Sequence, residues 1–579
     1  MKLCWKDPIA ALQVRPVRGG FAAEKRSRVA GKESVGDVLR LAPPPRATAD
    51  VARAGGTTRP RPTHATRDFR RSLRRAMASE DEFYADIRSA DGTYKFLVDG
   101  AWRESSSGRT CGSVAPADAN APAYAFQACT QGEVDEAFAA ARAAHRQWAR
   151  TPLHERAALL HEVAAEMRAH HAPMAACLVR EIAKPAKDAK TEVIRSADLI
   201  DYAAEEGVRA LGVGTLLHAD SFPGAKRDKM CMVSKVPLGV VLCIPPFNYP
   251  VNLAVSKIAP ALIAGNAVVI KPPTQGTVAG LHMAECFRRA LVTKGAPAGL
   301  VNVVTGKGSE IGDYLTSHPG ANLISFTGGD TGLSVAKKAN MVPIQMELGG
   351  KDACLVFPDA DVNLAASAVA KGGFSYSGQR CTAVKLVLAF EAIADPLVES
   401  VSKKIEALRV GRPEENADIT ALVSKASADF VQGLVEDAVK KGAVLKQPWR
   451  REDNLVWPCL VDHVTSEMRL AWEEPFGPVV PVVRVKSEEE ALRFVNESKY
   501  GLQGCVFTKN VDDAIRVADL METGTVQING PPARGPDHFP FQGVRDSGIG
   551  SQGIINSIDT MTKAKSVVIN LLKPSYALA

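Results

Sequence analysis

Apolar residues recur at three- and four-residue spacing through 132–211, in segments 133–149, 153–169 and 187–210. That spacing predicts a run of amphipathic helices. The pattern changes after residue 233. Short runs rich in β-branched residues at 240–244, 267–270, 301–304 and 323–326 alternate with helical stretches at 251–263, 278–290, 309–316 and 333–339. Such alternation predicts a parallel sheet covered by helices, with its ligand crevice at the C-terminal ends of the strands. Asn248, Lys271, Thr274, Gly328 and Gly332 fall in loops at those ends. A second alternation runs from 353 to 529, with strands at 383–390, 479–484 and 525–529 and a helix at 396–408. Short strands are expected around 94–100 and 123–126, and the apolar run at 565–572 reads as an isolated strand.

Residues 1–76 carry little of this periodicity. They hold Pro43-Pro-Pro45, Arg59-Pro-Arg-Pro62 and Arg70-Arg-Ser-Leu-Arg-Arg75, and such a segment buries too little surface to fold alone. Its Arg-rich, acid-poor composition also fits an organelle transit peptide, although serine is sparse. The stretch is expected to be either a disordered extension or a targeting segment. Residues 1–75 contain 18 Lys and Arg against 6 Asp and Glu, a local charge of +12. The chain as a whole carries +7, so the remainder carries −5. The basicity thus belongs to the N-terminal arm, and no nucleic-acid partner is expected for the body. No apolar run reaches the roughly 20 residues of a membrane span. The 11 cysteines form no C-x-x-C pair and read as dispersed reduced thiols of an intracellular protein. The histidines show no metal-ligand spacing; His170-His171 reads as a helix end, and no metal site is expected.

One stretch carries candidate chemistry, Lys371-Gly-Gly-Phe-Ser-Tyr-Ser-Gly-Gln-Arg-Cys381-Thr-Ala-Val-Lys385. Its glycines let backbone approach a ligand, and Arg380 beside Cys381 favours the nucleophilic thiolate. Taken alone, Cys381 reads as a buried structural cysteine, and the context changes that reading. Upstream stands Met346-Glu-Leu-Gly-Gly-Lys-Asp352. These two motifs together resemble the aldehyde dehydrogenase superfamily, and the resemblance spans roughly residue 83 to the C-terminus. Four further stretches narrow it. They are Pro245-Pro-Phe-Asn-Tyr-Pro-Val-Asn252, Lys271-Pro-Pro-Thr-Gln-Gly276, Phe374-Ser-Tyr-Ser-Gly-Gln-Arg-Cys381 and Pro532-Ala-Arg-Gly-Pro-Asp-His-Phe-Pro-Phe541. They look like the plant-type NADP-dependent non-phosphorylating glyceraldehyde-3-phosphate dehydrogenases.

The resemblance implies a role for each matching residue. Cys381 is the nucleophile that forms a thioester, and Glu347 the base that activates the deacylating water. Asn248, with the Cys381 backbone N–H, stabilises the oxyanion; a plain turn residue before Pro250 is the other reading of Asn248. Gly328, Gly329 and Gly332 follow a strand and open a helix, so phosphates can approach backbone amides there, although they do not make a G-x-G-x-x-G motif. Lys271 can pair with a ribose hydroxyl or a phosphate. Glu474 matches the family's ligand for the nicotinamide ribose, with Phe476 beside it; a solvated acidic pair with Glu473 is the alternative. Asp313 is carried over from the family, and a surface-helix residue is its other reading. Arg195, Arg380, Arg534, Tyr249 and Thr382 match the substrate side, where arginines suit a phosphate. Thr274 stands where many NAD-preferring members have a glutamate, so the 2′-phosphate of NADP meets no carboxylate; alternatively Thr274 only caps the following helix.

The fold implied is the α/β aldehyde dehydrogenase fold. It comprises a Rossmann-like NADP-binding domain at 77–348, with an oligomerisation hairpin near 219–237, a catalytic domain at 349–550 and an oligomerisation segment at 551–579. The reaction implied is irreversible oxidation of glyceraldehyde 3-phosphate to 3-phosphoglycerate with NADP, and the alternative is oxidation of another semialdehyde. A homo-oligomer, a tetramer by the resemblance, is expected in the cytoplasm, or in a plastid or mitochondrion if 1–76 is a transit peptide. The C-terminal strand is expected to pair with a neighbouring subunit.

Overall fold

The structure, a computed structural model, describes residues 83–571. The expectations for residues 1–76 and for the last positions of the C-terminal run lie outside the described residues. An eight-stranded sheet organises the first half of the chain. Its parallel centre runs, in spatial order, Val301–Val303, Ala267–Ile270, Val240–Ile244, Leu323–Thr327 and Ile344–Glu347. Nearly every residue of these strands is buried, as β-branched runs covered on both faces require. Helices Asn252–Ala264 and Thr277–Lys294 fill the crossovers. The C-terminal ends of neighbouring strands therefore line up. That alignment brings the Asn248 loop, Lys271, Gly328 and Glu347 to one rim.

A seven-stranded sheet organises the second half, with Cys459–Asp462, Val479–Val485, Leu386–Phe390, Ala353–Val356, Gln503–Phe507 and Thr525–Ile528 in parallel order. Here the chemistry-bearing residues precede the strands: Cys381 comes before Leu386–Phe390, and Glu474 and Phe476 come before Val479–Val485. The crevice is thus bounded by C-terminal strand ends of one sheet and N-terminal strand ends of the other. The chain then returns to the first sheet, where Gly548–Ile549 pairs antiparallel with Met346 and Glu347. The first sheet is therefore completed from beyond the second, which a division at 348 does not convey.

The C-terminal run departs from the sequence reading. It is not isolated. Thr562–Asn570 pairs with Lys229–Pro237 of its own chain over nine residues, and Lys229–Pro237 pairs with Thr215–His218. The reason is local: the long hairpin strand offers an open edge of matching length within the same chain. The three-stranded sheet leaves Leu216, Leu217, Met232, Val567 and Val568 exposed.

The helices before the first sheet follow the predicted spacing closely: Gln131–Trp148, Leu153–Ala169 and Ala186–Leu211. Thr130 starts the first with a capping box, its hydroxyl accepting from Glu133 N while the Glu133 carboxylate accepts from Thr130 N; this satisfies two otherwise orphaned donors. Helix His171–Ile182, not anticipated, begins directly after His170, which confirms a helix end at that histidine pair.

Candidate active site

Cys381 is set by an unusual turn. Helix Val362–Phe374 ends, and Tyr376, Ser377 and Gly378 follow with φ of 52°, 53° and 71°. Left-handed backbone costs a non-glycine residue on the order of 1–2 kcal/mol, so the fold must hold it. Ser377 Oγ donates to Thr420 O and accepts from Thr420 N, each at 2.8 Å, and Tyr376 Oη reaches Ile182 O at 3.3 Å. At position 378 a Cβ would lie 2.2 Å from Gly477 O, so only glycine fits. This turn delivers Cys381 to the crevice half-buried, with Thr382 buried beside it.

Cys381 Sγ donates to Glu347 Oε1 at 3.5 Å. Burial raises the thiol well above its ordinary range, and the Glu347 carboxylate adds to the rise; Lys385 and Arg534 oppose it. This corrects the expectation that Arg380 promotes a thiolate. The Arg380 guanidinium turns to Gly372 O, at 2.7 Å, and the sulfur rests as a thiol with a carboxylate as its acceptor. Glu347 is buried yet bonded on both carboxylate oxygens. Its Oε2 lies 2.5 Å from Arg534 Nη1 and 3.4 Å from Thr327 Oγ1, which also accepts from Lys257 Nζ at 2.6 Å. Burial lowers Lys257 to about 8.

Asn248 is buried, and its Nδ2 donates to Gln379 O at 2.9 Å. An amide nitrogen carries two hydrogens, so one remains for a ligand. Asn248 and Cys381 share the wall of a cavity of about 720 Å³ with Thr274, Gly328, Gly329, Glu474 and Phe476. The Thr274 capping alternative is not met: Gly276, with φ of 104°, occupies the N-cap of Thr277–Lys294, and the Glu181 carboxylate, not Thr274, accepts from Val278 N and Ala279 N in that helix's first turn. Glu474 is held by Lys385 Nζ at 2.7 Å and Gly350 N at 3.2 Å. Lys385 also donates to Cys381 O, so one ammonium ties the cysteine backbone to Glu474. Phe476 packs edge-on against Phe247.

Other sequence-predicted cofactor residues stand outside the cavity wall. Lys271 is buried, donates to Pro272 O at 2.9 Å, and is lowered by burial to about 8. Gly332 is the second residue of helix Thr331–Lys338, where a Cβ would strike Leu348 at 2.2 Å; its need is packing. Asp313 stands apart. Helix Gly308–Thr316 buries Ile311 and Leu315 and turns Asp313 to solvent, 83% exposed and paired with Lys338.

On the substrate side the arginines are not a free cluster. Arg195 binds Asp537 bidentately, Nε at 2.6 Å and Nη2 at 2.8 Å, and its Nη2 also donates to Arg534 O at 2.9 Å. Arg534 Nε lies 3.8 Å from the same Asp537, and its Nη2 donates to Gln552 Oε1 at 2.6 Å. Arg195 and Arg534 therefore converge, but on an aspartate. Arg380 joins neither. Tyr249 faces Tyr376 edge-on at 6.1 Å, and burial raises its hydroxyl to about 12. Sequence reasoning missed Asp537, Lys385 and Gln552. Asp537 was within sight, inside the Pro/Gly-rich loop that holds Arg534, and so was Lys385, which ends the Cys381 stretch and bonds Cys381 O four residues back; Gln552 touches the site only through a tertiary contact.

The cavity fits a dinucleotide on its own geometry. Its lining has apolar flanks, two adjacent glycines at a helix start and a carboxylate suited to ribose hydroxyls. Among the described residues, no group of His, Cys, Asp and Glu is arranged to hold a metal ion.

The aldehyde dehydrogenase family model matches residues 102–567. The chain is 62% identical over 495 residues to the NADP-dependent glyceraldehyde-3-phosphate dehydrogenase of Triticum aestivum, covering 86% of this chain and 99% of that protein. The Arabidopsis thaliana protein of the same name is likewise 62% identical over 495 residues, with the same coverage. Among solved structures, an NADP-dependent glyceraldehyde-3-phosphate dehydrogenase from Bacillus halodurans C-125, complexed with NADP, is 47% identical with a TM-score of 0.80, covering 83% of this chain and 99% of its own. With most of its length shared in sequence and in fold, this chain belongs to the aldehyde dehydrogenase family.

Proposed function

We propose that this chain is an NADP-dependent, non-phosphorylating glyceraldehyde-3-phosphate dehydrogenase. It oxidises glyceraldehyde 3-phosphate to 3-phosphoglycerate through a thioester on Cys381. The observation that carries this reading is the contact of Cys381 Sγ with the Glu347 carboxylate, 3.5 Å apart, beside a dinucleotide-sized cavity. The relatives of that name lend the substrate and cofactor.

Glu347 first takes the thiol proton, and the sulfur attacks the aldehyde carbon. The new C–S bond leaves an oxyanion, which the free Asn248 N–H and the Cys381 backbone N–H hold. Losing one such donor typically costs about 2.7–4 kcal/mol of barrier. NADP, when bound, supplies the hydride acceptor. Asn248, Glu474 and Phe476 line the space where it reacts, and Lys385 fixes Glu474 relative to Cys381. Glu347 then gives up its proton to solvent and acts as base toward water. The water adds to the acyl carbon, the C–S bond breaks, and the sulfur regains a proton.

The phosphate of the substrate takes the place of the Asp537 carboxylate between Arg195 and Arg534. Thr274, neutral and on the cavity wall, accommodates the 2′-phosphate of NADP. The exposed apolar residues of the three-stranded sheet, with its open edge at Thr562–Asn570, support assembly with further copies; the assembly proposed is a homotetramer. Among the described residues, no helix is long and apolar enough to cross a membrane. The compartment proposed is the cytoplasm, beside glycolysis, with an organelle as the alternative if residues 1–76 direct import.

The test is an assay of the purified chain with glyceraldehyde 3-phosphate and NADP, with and without inorganic phosphate. NADPH formation independent of phosphate, with 3-phosphoglycerate as product, is expected. A requirement for phosphate contradicts the proposal.

A further inference from the structure

Two fully buried charges lie behind the Asn248 loop, and nothing in the mechanism above uses them. Lys184 follows helix His171–Ile182, and Glu192 lies within helix Ala186–Leu211. Both are buried, Lys184 at 0% exposure and Glu192 at 3%, and they form an ion pair. Burying two charges costs more than a lone pair returns unless further hydrogen bonds complete the arrangement. Here every further bond goes to one place. Lys184 Nζ donates to Asn248 O at 2.6 Å and stands 3.7 Å over the Tyr249 ring. It also lies 4.7 Å from the ring of Tyr376, in the left-handed turn that delivers Cys381. The second oxygen of Glu192, Oε1, accepts from Val251 N at 3.0 Å and Asn252 N at 3.1 Å. Those amides open helix Asn252–Ala264, which has no side-chain cap of its own at Val251. A carboxylate there meets the positive end of the helix.

We infer that the Lys184–Glu192 pair is a positioning clamp for catalysis. It grips residues 248–252 from both sides, and so fixes the Asn248 amide relative to Cys381 at the moment charge develops on the oxygen. The strand-to-helix connection at 245–251 runs as a loop into Asn252, and loops are mobile unless their backbone polar groups are engaged. The clamp engages three of them: one carbonyl and two amides. Its members act through Asn248 and touch neither substrate nor cofactor. A purely structural pair has no reason to concentrate its bonds on the segment that holds the oxyanion donor.

The inference rests on Asn248 as the oxyanion donor, and the test separates the two. The variants are Lys184→Met with Glu192→Gln together, Glu192→Gln alone, and each in an Asn248→Ala background. The double variant keeps side-chain volume and an acceptor for the two amides while removing both charges, so it avoids a lone buried ion. Stopped-flow measurement of the NADPH burst with saturating NADP reads acylation. NADP binding by quenching of tryptophan fluorescence, and thermal melting, report on the rest of the fold. The burst rate is expected to fall at least about tenfold in the double variant, with NADP affinity within about twofold of wild type. In the Asn248→Ala background the same changes are expected to cost little more, because the group they position is already gone. A clamp variant that folds and keeps the wild-type burst rate overturns the inference. So does one that slows the burst by the same factor in both backgrounds. If the double variant does not fold, Glu192→Gln alone decides by the same two comparisons. If Asn248→Ala itself leaves the burst unchanged, the oxyanion assignment fails instead, and the clamp with it.

Discussion

Arg534 Nη1 lies 2.5 Å from Glu347 Oε2, so the proposed base is tied to the arginine that also faces Asp537. The other Glu347 oxygen receives the Cys381 thiol. One carboxylate thus joins the nucleophile to the substrate-side arginines. A phosphate arriving at Arg534 acts on the same guanidinium that restrains Glu347, so substrate recognition and base chemistry share a contact. The fork geometry matters for both, because a lysine presents a point charge and cannot hold two partners side by side.

Arg534→Lys should therefore raise KM for glyceraldehyde 3-phosphate by about tenfold or more while leaving NADP affinity near its original value. Steady-state kinetics and a separate NADP titration check this. An unchanged KM removes Arg534 from phosphate recognition.

Cys381 should alkylate slowly near neutrality without cofactor. Burial and Glu347 raise its thiol, and the thiolate is the reactive form. Below a raised pKa the thiolate fraction climbs roughly tenfold per pH unit. Inactivation by iodoacetamide should thus accelerate about tenfold per unit from about pH 7 to about pH 9, with Cys381→Ser as the control for other cysteines. A rate already level across that range contradicts the geometry of the resting thiol.

Thr274→Glu should shift preference from NADP toward NAD. A carboxylate within about 4 Å of the 2′-phosphate is repelled by several kcal/mol at an effective dielectric near 20. Since Thr274 caps no helix, the variant should keep its melting temperature. The ratio of kcat/KM for the two cofactors decides, and an unchanged ratio in a stable protein sinks the assignment.

Gly378→Ala should destabilise the protein by about 2–4 kcal/mol, from left-handed backbone at φ of 71° and a Cβ 2.2 Å from Gly477 O. Thermal or urea melting measures it. A melt indistinguishable from wild type shows that the turn relaxes freely.

The sequence held the rim of the site because strand periodicity and loop chemistry are local. Asn248, Gly328 and Glu347 follow strands whose β-branched runs are self-evident, and the sheet then aligns them without further information. Pairing across the fold was not legible. Nothing local marks Lys184, in the connection between two helices, or Glu192, within the second, until folding buries them together. Asp537 read as loop polarity, yet it occupies Arg195. The strand Thr110–Ala115 escaped notice because its Thr, Gly and Ser dilute the apolar alternation, and it is fixed by pairing with Ala121–Gln127. The C-terminal run was recognisable as a strand, but its partner, residues 229–237, lies hundreds of positions away. Asp313 shows the converse: a residue placed by likeness alone, which the helix face then turns to solvent.

The central claim is that Cys381 carries the acyl group and Glu347 releases it to water. Glu347→Gln should be mixed rapidly with NADP and glyceraldehyde 3-phosphate while absorbance follows NADPH, and the stalled protein then taken for intact-mass measurement. The account predicts a slowed burst that still amounts to about one NADPH per site, because Glu347 also takes the thiol proton, then little turnover and a phosphoglyceroyl adduct on Cys381. A variant that turns over at the wild-type rate, or one that stalls with no burst and no adduct, contradicts it.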